Sequence, residues 1–397
     1  SSEIDIQNPT LLGVPFSAGS LSLGSSANGE RKLGGEGSSD QSNSLTGDVS
    51  AVVVGVYPNG NLAIRGEKML ILNQGEEVVQ ISGVIRPEDI AAQAIAILRE
   101  NDRGAYTIPT RGLYPFQWNW DSCLTALGQR HFDEARAWTE IETLFAHQWP
   151  DGMVPHIVFH ARDEGYFPGP DVWATGRPVA TSGITQPAVA GFAARALWER
   201  AADRAAADAR AHALLPRIAA WHRWFFAHRD PGGEGLVAII HPWEAGRDNS
   251  VDWDAALERV PTEGVTPYIR RDTQHADAAH RPTQAEYDRY LWLVEHFRRL
   301  GWDNARLHDA SPFRVVDPGF NAILLRACAD LADLAEALGE QGLADENRGF
   351  AALGLAALEG LWSNERGLYL CRDRATGALV DSPSSGGLLP AFAAIPA

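Results

Sequence analysis

The stretch "HPWEAGRDNSVDWD", residues 241–254, places Asp248 between an arginine and an asparagine, with Trp243 and Trp253 on either side. Tryptophans beside carboxylates in a polar loop are typical of a site that hydrolyses sugars, where a carboxylic acid donates a proton. Asp-Asn-Ser is also common in turns and helix N-caps, so the residues alone leave both interpretations open. A calcium loop is excluded, because Trp253 and Arg259 occupy the positions that require Gly and Glu.

An acid that works near neutral pH needs a raised pKa, which burial or neighbouring carboxylates can provide. We expect burial beside the tryptophans, together with Glu244 and Asp252, to raise the pKa of Asp248. Arg247 would lower it unless its side chain points elsewhere. Hydrolysis with inversion also requires a second carboxylate, about 6.5–9.5 Å from the acid, that activates water.

A second aromatic string, "LYPFQWNWDS", contains Tyr114, Trp118, Trp120 and Asp121. The alternatives for these residues are a sugar-binding wall and a set of core aromatics at a helix start, with Asp121 as a cap. We expect Trp120 to belong to the core. Trp243 has the same two interpretations, a stacking surface for sugar or a core anchor.

Histidines and cysteines give no sign of a metal site or a cofactor. His156 and His160 are four residues apart but lack a zinc motif, so we interpret them as structural or as lining a substrate site. Cys123, Cys328 and Cys371 are far apart and lie among apolar residues, as small core side chains do. We therefore predict neither metal nor cofactor.

The 397 residues carry a formal net charge of −17, which disfavours nucleic acids and anionic membranes as partners. No apolar stretch is long enough to span a membrane, and the chain does not open with a secretory signal. All 13 tryptophans and 12 histidines lie beyond residue 117, whereas residues 1–50 are rich in Ser and Gly. This change in composition predicts a domain boundary.

Hydrophobic patterns divide the chain in the same way. Between Asp48 and Ile90, β-branched residues alternate around Asn59-Gly60, a pair that favours a hairpin turn. Beyond "RPEDI", apolar residues recur at three- and four-residue spacing, which predicts paired helices. Two aromatic connections, residues 148–187 and 229–283, are longer than ordinary loops and indicate a site.

The string "SLTGDVSAVVVGVYPNGNLAIRGEKMLILNQGEEVVQISGVIRPEDI" resembles the bacterial flagellar L-ring protein over residues 1–90. The resemblance implies a β-rich ring subunit of the basal body at the outer membrane, with other L-ring subunits as partners if this segment is functional. The signal peptide, lipidated cysteine and final segment of that family are absent. We therefore expect an interior fragment that does not assemble a ring.

Residues 91–397 resemble (α/α)6-barrel glycoside hydrolases related to family 63, particularly mannosylglycerate and glucosylglycerate hydrolases. Six strings carry the resemblance in order: "NDRGAYTIPTRGLYPFQWNWDS", "QWPDGMVPHIVF", "GYFPGPDVW", "TSGITQPA", "HPWEAGRDNSVDWD" and "FRVVDPGFNAILLRA". It implies a mainly α fold, a cytoplasmic enzyme, and inverting cleavage of a small glycosyl-glycerate or a related α-glucoside or α-mannoside. Glucosyl and mannosyl preference stay open.

The resemblance also implies roles for individual residues. Asp248 matches the general acid, and Trp243 matches a residue that stacks on sugar. Tyr114, Trp118 and Asp121 match positions that hold the sugar at the point of cleavage.

Three further residues match contacts to the glycerate. Gln186 matches one such contact, while Arg281 and Tyr287 match a mobile loop that closes over the carboxylate. Taken alone, Arg281 has the ordinary interpretation of a surface cation and Gln186 that of a polar loop residue.

The general base of this family is a glutamate in a downstream string that this sequence does not contain. We expect an incomplete barrel, preceded by the small β-rich fragment, and little or no turnover, because loss of such a base typically costs about 10²–10⁴-fold. The two resemblances imply different compartments, which indicates a fusion, a sequence artefact or an engineered chimera joined near Ile90. An L-ring structural protein and an inactive carbohydrate-binding protein are the alternatives.

Overall fold

The computed structural model describes residues 50–72, 75–274 and 281–394, together with two short strands, β1 (Thr10–Leu11) and β2 (Val14–Pro15). Contacts between residues divide the chain into two compact units, Ser1–Ile97 and Leu98–Ala397. The expected boundary between residues 90 and 91 falls seven residues before this division and stays a prediction.

The first unit contains a three-stranded antiparallel sheet of β3 (Ala51–Val56), β4 (Leu62–Leu72) and β5 (Gly75–Ile85), in the order β3-β4-β5. The expected turn lies between β3 and β4, where Gly60 has a φ of +85° that a residue without a Cβ adopts at little cost. Gly66 on β4 is also required, because a Cβ there would lie 2.3 Å from the carbonyl oxygen of Ser50. The β-rich character expected for this segment is present in its described part.

Helix α1 (Pro87–Asn101) begins inside the string "RPEDI", earlier than the change in pattern suggested. Proline is favoured in the first turn, and Glu88 and Asp89 there interact well with the helix dipole. The remaining helices are α2 (Asn119–Gln129), α3 (Glu134–Ala146), α4 (Pro170–Trp173), α5 (Ala190–Glu199), α6 (Arg204–Arg229), α7 (Asp254–Leu257), α8 (Gln284–Arg299), α9 (Asn304–Ala310), α10 (Pro318–Ala337), α11 (Gln341–Leu358) and α12 (Pro390–Ala394). The prediction of a mainly α chain is confirmed.

Short strands pair in the second unit, and two of the three pairs join segments that are distant in the sequence. They are β6 (Gln117–Trp118), β7 (Ile157–Val158), β8 (Val315–Val316), β9 (Trp362–Ser363), β10 (Leu368–Tyr369) and β11 (Arg372–Asp373). β6 pairs with β7, β8 with β11 and β9 with β10, each antiparallel. The β6–β7 pair sets Trp118 opposite Ile157 and so fixes the start of α2 against the 148–187 connection.

Helices α2, α5 and α10 pack against one another through α5, and each also packs against the helix that follows it, α3, α6 or α11. α10 is the most buried of these helices. Small residues allow it to approach α5 closely: a Cβ on Gly191 of α5 would lie 2.4 Å from the carbonyl oxygen of Ala327 on α10. In their described residues, the long connections 148–187 and 229–283 contain only short elements, as expected, and they carry most of the candidate site.

Candidate active site

A pocket of about 630 Å³, including its open mouth, lies in the second unit. It is lined by Gly112, Leu113, Tyr114, Trp118, His156, Gly165, Tyr166, Phe167, Pro168, Trp243, Asp248, Asn249, Arg271, Asp272, Arg281, Pro282 and Tyr287. The family resemblance gave eight residues a role in catalysis or substrate binding. Six of these eight line this one pocket, although they come from widely separated parts of the chain. Their assigned roles stay predictions.

Aromatic rings form the wall of this pocket. The ring of Trp118 meets the edges of Tyr114 at 5.2 Å and Tyr166 at 5.6 Å between ring centroids. Trp243 lies 6.1 Å from Tyr287, also at a steep angle. Edge contacts of this kind fix the orientation of the aromatic rings that line the pocket.

Asp248 combines partial burial with a raised pKa. Its side chain is half-buried, and burial raises its pKa to about 6, while Arg281 opposes the shift and Asp121 adds to it. Burial likewise raises the pKa of Asp121 to about 6. Two carboxyl groups near each other that both resist ionisation make Asp248 suitable as a proton donor close to neutral pH.

The expectation that Glu244 and Asp252 raise this pKa is wrong. Glu244 is buried in an ion pair with Arg229 at 2.8 Å, and its other oxygen accepts the amide N–H of Ile240 at 2.9 Å. Asp252 is bound by Arg247 at 2.8 Å. The carboxylate that acts on Asp248 is Asp121, which is remote in sequence, so local spacing gave no signal for it.

Arg247 points elsewhere, as the acid role requires. Its guanidinium donates to Asp317 at 2.9 Å as well as to Asp252, and it is not among the residues that line the pocket. The N-cap in this loop is Ser250, whose hydroxyl accepts the amide N–H of Asp252 at 3.4 Å. The capping alternative therefore applies to Ser250, and Asp248 is left to face the pocket.

The backbone before Asp248 depends on a glycine. Gly246 has a φ of +71°, a left-handed conformation, and a Cβ there would lie 2.6 Å from the ring of Trp120. Trp120 packs on the hydrophobic core and does not line the pocket, as expected for a core aromatic. At the other end of this loop, the hydroxyl of Tyr290 donates to the carbonyl oxygen of Asp248 at 3.2 Å.

Arg281 is held by an ion pair with Asp272. Its Nε donates to Asp272 Oδ2 at 3.0 Å, and Arg270 donates to the same carboxylate through Nε at 3.0 Å and Nη2 at 2.6 Å. These two arginines lower the pKa of Asp272 against the opposite effect of its burial, which is the largest single influence. Arg270 also lies over the ring of Tyr287, 4.5 Å from its centroid.

Asp121 and Gln186 are not among the lining residues. Asp121 lies in the first turn of α2, whose N-cap is Trp118, so it is not the cap that the alternative interpretation required. Gln186 accepts the amide N–H of Trp120 at 3.2 Å and is buried.

Sequence reasoning did not single out Tyr166 or Arg271, and it left His156 between two interpretations. Tyr166 lies in the matched string "GYFPGPDVW", and that string was the available signal. His156 lines the pocket between Trp118 and Trp243, and burial lowers its pKa to about 3, so it is neutral. His160 lies outside the pocket, where its Nε2 is 2.7 Å from Gln117 Oε1.

Among the described residues, no group of three or more His, Cys, Asp or Glu side chains is arranged to hold a metal ion. No helix in the same part of the chain is both long and apolar enough to cross a membrane.

Comparison with known proteins separates the two units. Residues 6–96 match the family model of the flagellar L-ring protein. The L-ring protein of Idiomarina loihiensis is 44% identical over 91 residues, which are 23% of this chain and 41% of the relative.

The larger part of the chain matches a different family. Mannosylglycerate hydrolase MGH1 of Selaginella moellendorffii is 52% identical over 300 residues, 75% of this chain, and the match spans 62% of the relative's length. The crystal structure of the family 63 mannosylglycerate hydrolase of Thermus thermophilus with Tris and D-glycerate has a TM-score of 0.75 at 49% identity, covering 77% of this chain and 73% of that one. The family model of the mannosylglycerate hydrolase MGH1-like glycoside hydrolase domain matches residues 114–397, so the chain belongs to that glycoside hydrolase family.

Proposed function

We propose that the second unit is an inverting α-glycoside hydrolase that acts on a small glycosyl-glycerate, with mannosyl and glucosyl as the candidate sugars. The observation that carries the proposal is that a carboxyl group with a raised pKa, Asp248, and a cation, Arg281, line the same aromatic pocket. The proposed framework is an incomplete (α/α)6 barrel, supported by the packing of α2, α5 and α10 with the helices that follow them.

In this proposal Asp248 protonates the glycosidic oxygen as the bond to the sugar breaks. Trp118 and Trp243 pack on the sugar, and Arg281 binds the carboxylate of the departing glycerate through paired hydrogen bonds. Tyr287 and Tyr114 line the same pocket. Asp121 adds to the raised pKa of Asp248, which burial mainly causes, and Gln186 holds the start of α2 by accepting the amide N–H of Trp120.

Inversion also requires a carboxylate that removes a proton from the attacking water. Among the described pocket-lining residues the carboxylates are Asp248 and Asp272, and Asp272 is bound by two arginines that lower its basicity. We therefore propose that the polypeptide of residues 1–397 by itself hydrolyses its substrate slowly.

The test is incubation of this polypeptide with mannosylglycerate and with glucosylglycerate, followed by NMR detection of the released sugar anomer. A second protein carries the C-terminal segment of a curated relative, and Asp248→Asn is made in both. We expect the extended protein to release the β-anomer first and the Asp248→Asn variants to lose this release by about 10²–10⁴-fold. Rapid hydrolysis by residues 1–397 contradicts the impairment, and equal activity of the Asp248→Asn variant contradicts the acid assignment.

A structural role in the flagellar L-ring is the second candidate, and the match of residues 6–96 is the observation that favours it. Its location would be the basal body at the outer membrane, whereas the hydrolase candidate implies the cytoplasm. Recovery of the tagged chain with purified basal bodies supports the ring role, and hydrolytic activity in the cytoplasmic fraction supports the enzyme. Binding of glycosyl-glycerate without turnover, even after extension, indicates a carbohydrate-binding protein.

A further inference from the structure

The pocket contains a cation that the proposed reaction does not use. Arg271 is half-buried and lines the pocket beside Asp272, Arg281 and Pro282. The proposed function assigns the glycerate carboxylate to Arg281 and leaves Arg271 without a role.

Arg271 differs from its neighbours in having no counter-ion among the residues that the structure describes. The carboxylate of Asp272 is shared between Arg270, at 2.6 Å, and Arg281, at 3.0 Å. Across the described residues, no ion pair or side-chain hydrogen bond of Arg271 occurs. Its charge is therefore available to a ligand.

The local charge balance follows from these pairings. Among the described residues at this end of the pocket, three arginines and one aspartate leave two positive charges, in a chain whose formal net charge is −17. Glycerate contributes one negative charge.

We propose that Arg271 provides a second anion contact, so that the pocket prefers a 2-hydroxy acid with two anionic groups over glycerate itself. This proposal rests on the proposed function for the site and extends its substrate class to glycosides whose aglycone carries a second carboxylate, or a phosphate at carbon 3. Either group fits the planar guanidinium, which binds both through paired N–H donors.

Two ligand comparisons test the second contact without requiring turnover. Tartronate differs from D-glycerate only in having a carboxylate in place of the CH2OH group, and 3-phosphoglycerate carries a phosphate on that carbon. Calorimetry at low and at physiological salt measures all three with the full chain. We expect tartronate or 3-phosphoglycerate to bind about threefold to tenfold more tightly than glycerate at low salt, with a smaller difference at physiological salt.

Three substitutions assign the effect. Arg271→Gln is expected to remove the preference for a ligand with two anionic groups and to leave the affinity for glycerate within about twofold. Arg271→Lys is expected to keep part of this preference, because lysine retains the charge but not the paired donors. Arg281→Gln is expected to weaken all three ligands. The matched control is Arg306→Gln, an exposed arginine of α9 outside the pocket, which changes the net charge equally and should change nothing.

The outcomes separate this inference from the proposed function. If glycerate binds through Arg281 but neither dianion binds more tightly, the second contact is refuted and the proposed function stands. If Arg271→Gln weakens glycerate as much as the dianions, Arg271 grips the first carboxylate and the inference is equally refuted. If none of the three ligands binds to the chain, both proposals fail. The ligand that binds more tightly, tartronate or 3-phosphoglycerate, identifies the second anionic group as a carboxylate or a phosphate.

Discussion

The guanidinium of Arg247 donates to Asp317 at 2.9 Å, which joins the loop that carries Asp248 to the first turn of α10. Asp317 is the N-cap of α10 and accepts the amide N–H of Gly319 at 2.8 Å through the same oxygen. Arg247 also contacts the hydroxyl of Ser384 at 3.4 Å. One side chain therefore fastens three segments and is kept out of the pocket that its neighbour Asp248 lines.

Replacing Arg247 with methionine should destabilise the fold strongly. The substitution leaves the nearly buried carboxylates of Asp252 and Asp317 without their cation, and breaking a buried pair from one side typically costs a few kcal/mol. We expect a loss of about 2–4 kcal/mol in the free energy of unfolding, measured by urea denaturation. The control is Arg223→Met, because Arg223 is exposed and its partner Glu346 is only half-buried, so the loss of this pair should cost at most about 1 kcal/mol. Equal losses in the two variants contradict this role for Arg247.

The protonation of Asp248 should depend on Asp121. The pKa of Asp248 is raised to about 6, so its acid form predominates below that pH and declines as pH rises through it. Asp121→Asn removes a negative charge that contributes to the shift, so the pKa of Asp248 should fall. Carbon-13 NMR titration of labelled aspartate carboxyls measures this, with Asp248→Asn used to assign the resonance. A titration of Asp248 unaltered by Asp121→Asn shows that the two groups are not coupled.

The same two carboxyl groups should limit stability at neutral pH. A carboxyl whose pKa rises from 3.8 to about 6 on folding binds its proton more tightly in the folded state, so its contribution is favourable at low pH and is lost between pH 3.8 and about 6. Asparagine resembles the protonated form and does not ionise. We expect Asp121→Asn and Asp248→Asn each to raise the free energy of unfolding by about 1–2 kcal/mol at pH 7.5.

This gain should vanish near pH 4, where the wild-type carboxyls are protonated in the folded state. Thermal unfolding at pH 4 and pH 7.5 gives both values. Variants that are less stable than wild type at pH 7.5 would show that the carboxylates are stabilised by their surroundings.

Gly246 should not tolerate a side chain. Gly246→Ala combines an unfavourable φ of +71° with a Cβ placed 2.6 Å from the ring of Trp120, and we expect a loss of about 2–4 kcal/mol. Gly176→Ala is the matched control, because Gly176 has a φ of +70° but nothing within 4 Å of the added Cβ. That variant should lose only about 1–2 kcal/mol, the cost of the left-handed backbone alone. Similar losses at both positions mean that the Trp120 ring moves aside.

The hydrophobic pattern predicted the helices well but not all of their limits. The apolar run over residues 188–228 reads as one stretch, yet the chain forms α5 and α6, because Asp203 caps a new helix by accepting the amide N–H of Ala206 at 3.0 Å. Caps of this kind depend on side-chain geometry that periodicity does not report. The start of α1 at Pro87 is a similar case, where first-turn chemistry outweighed the β pattern before it.

The site could be predicted as a list of residue types but not as a set of pairings. Asp248, Trp118 and Arg281 lie in sequence strings that resemble the family. The partners of Glu244 and Arg247 lie on other segments, and local spacing gives no signal for them. The influence of Asp121 on Asp248 is equally non-local. Whether a charged residue titrates, pairs or binds a ligand is decided by which distant group the fold brings next to it.

Because Arg281 already donates its Nε to Asp272, a carboxylate ligand that binds this guanidinium shares it with an anion of the same chemical kind. Part of the positive charge of Arg281 is already offset by Asp272, so affinity for a single acid group should be modest. Selectivity among acids then has to come from shape and from additional anchoring points, and rapid dissociation of a released acid is the natural kinetic outcome.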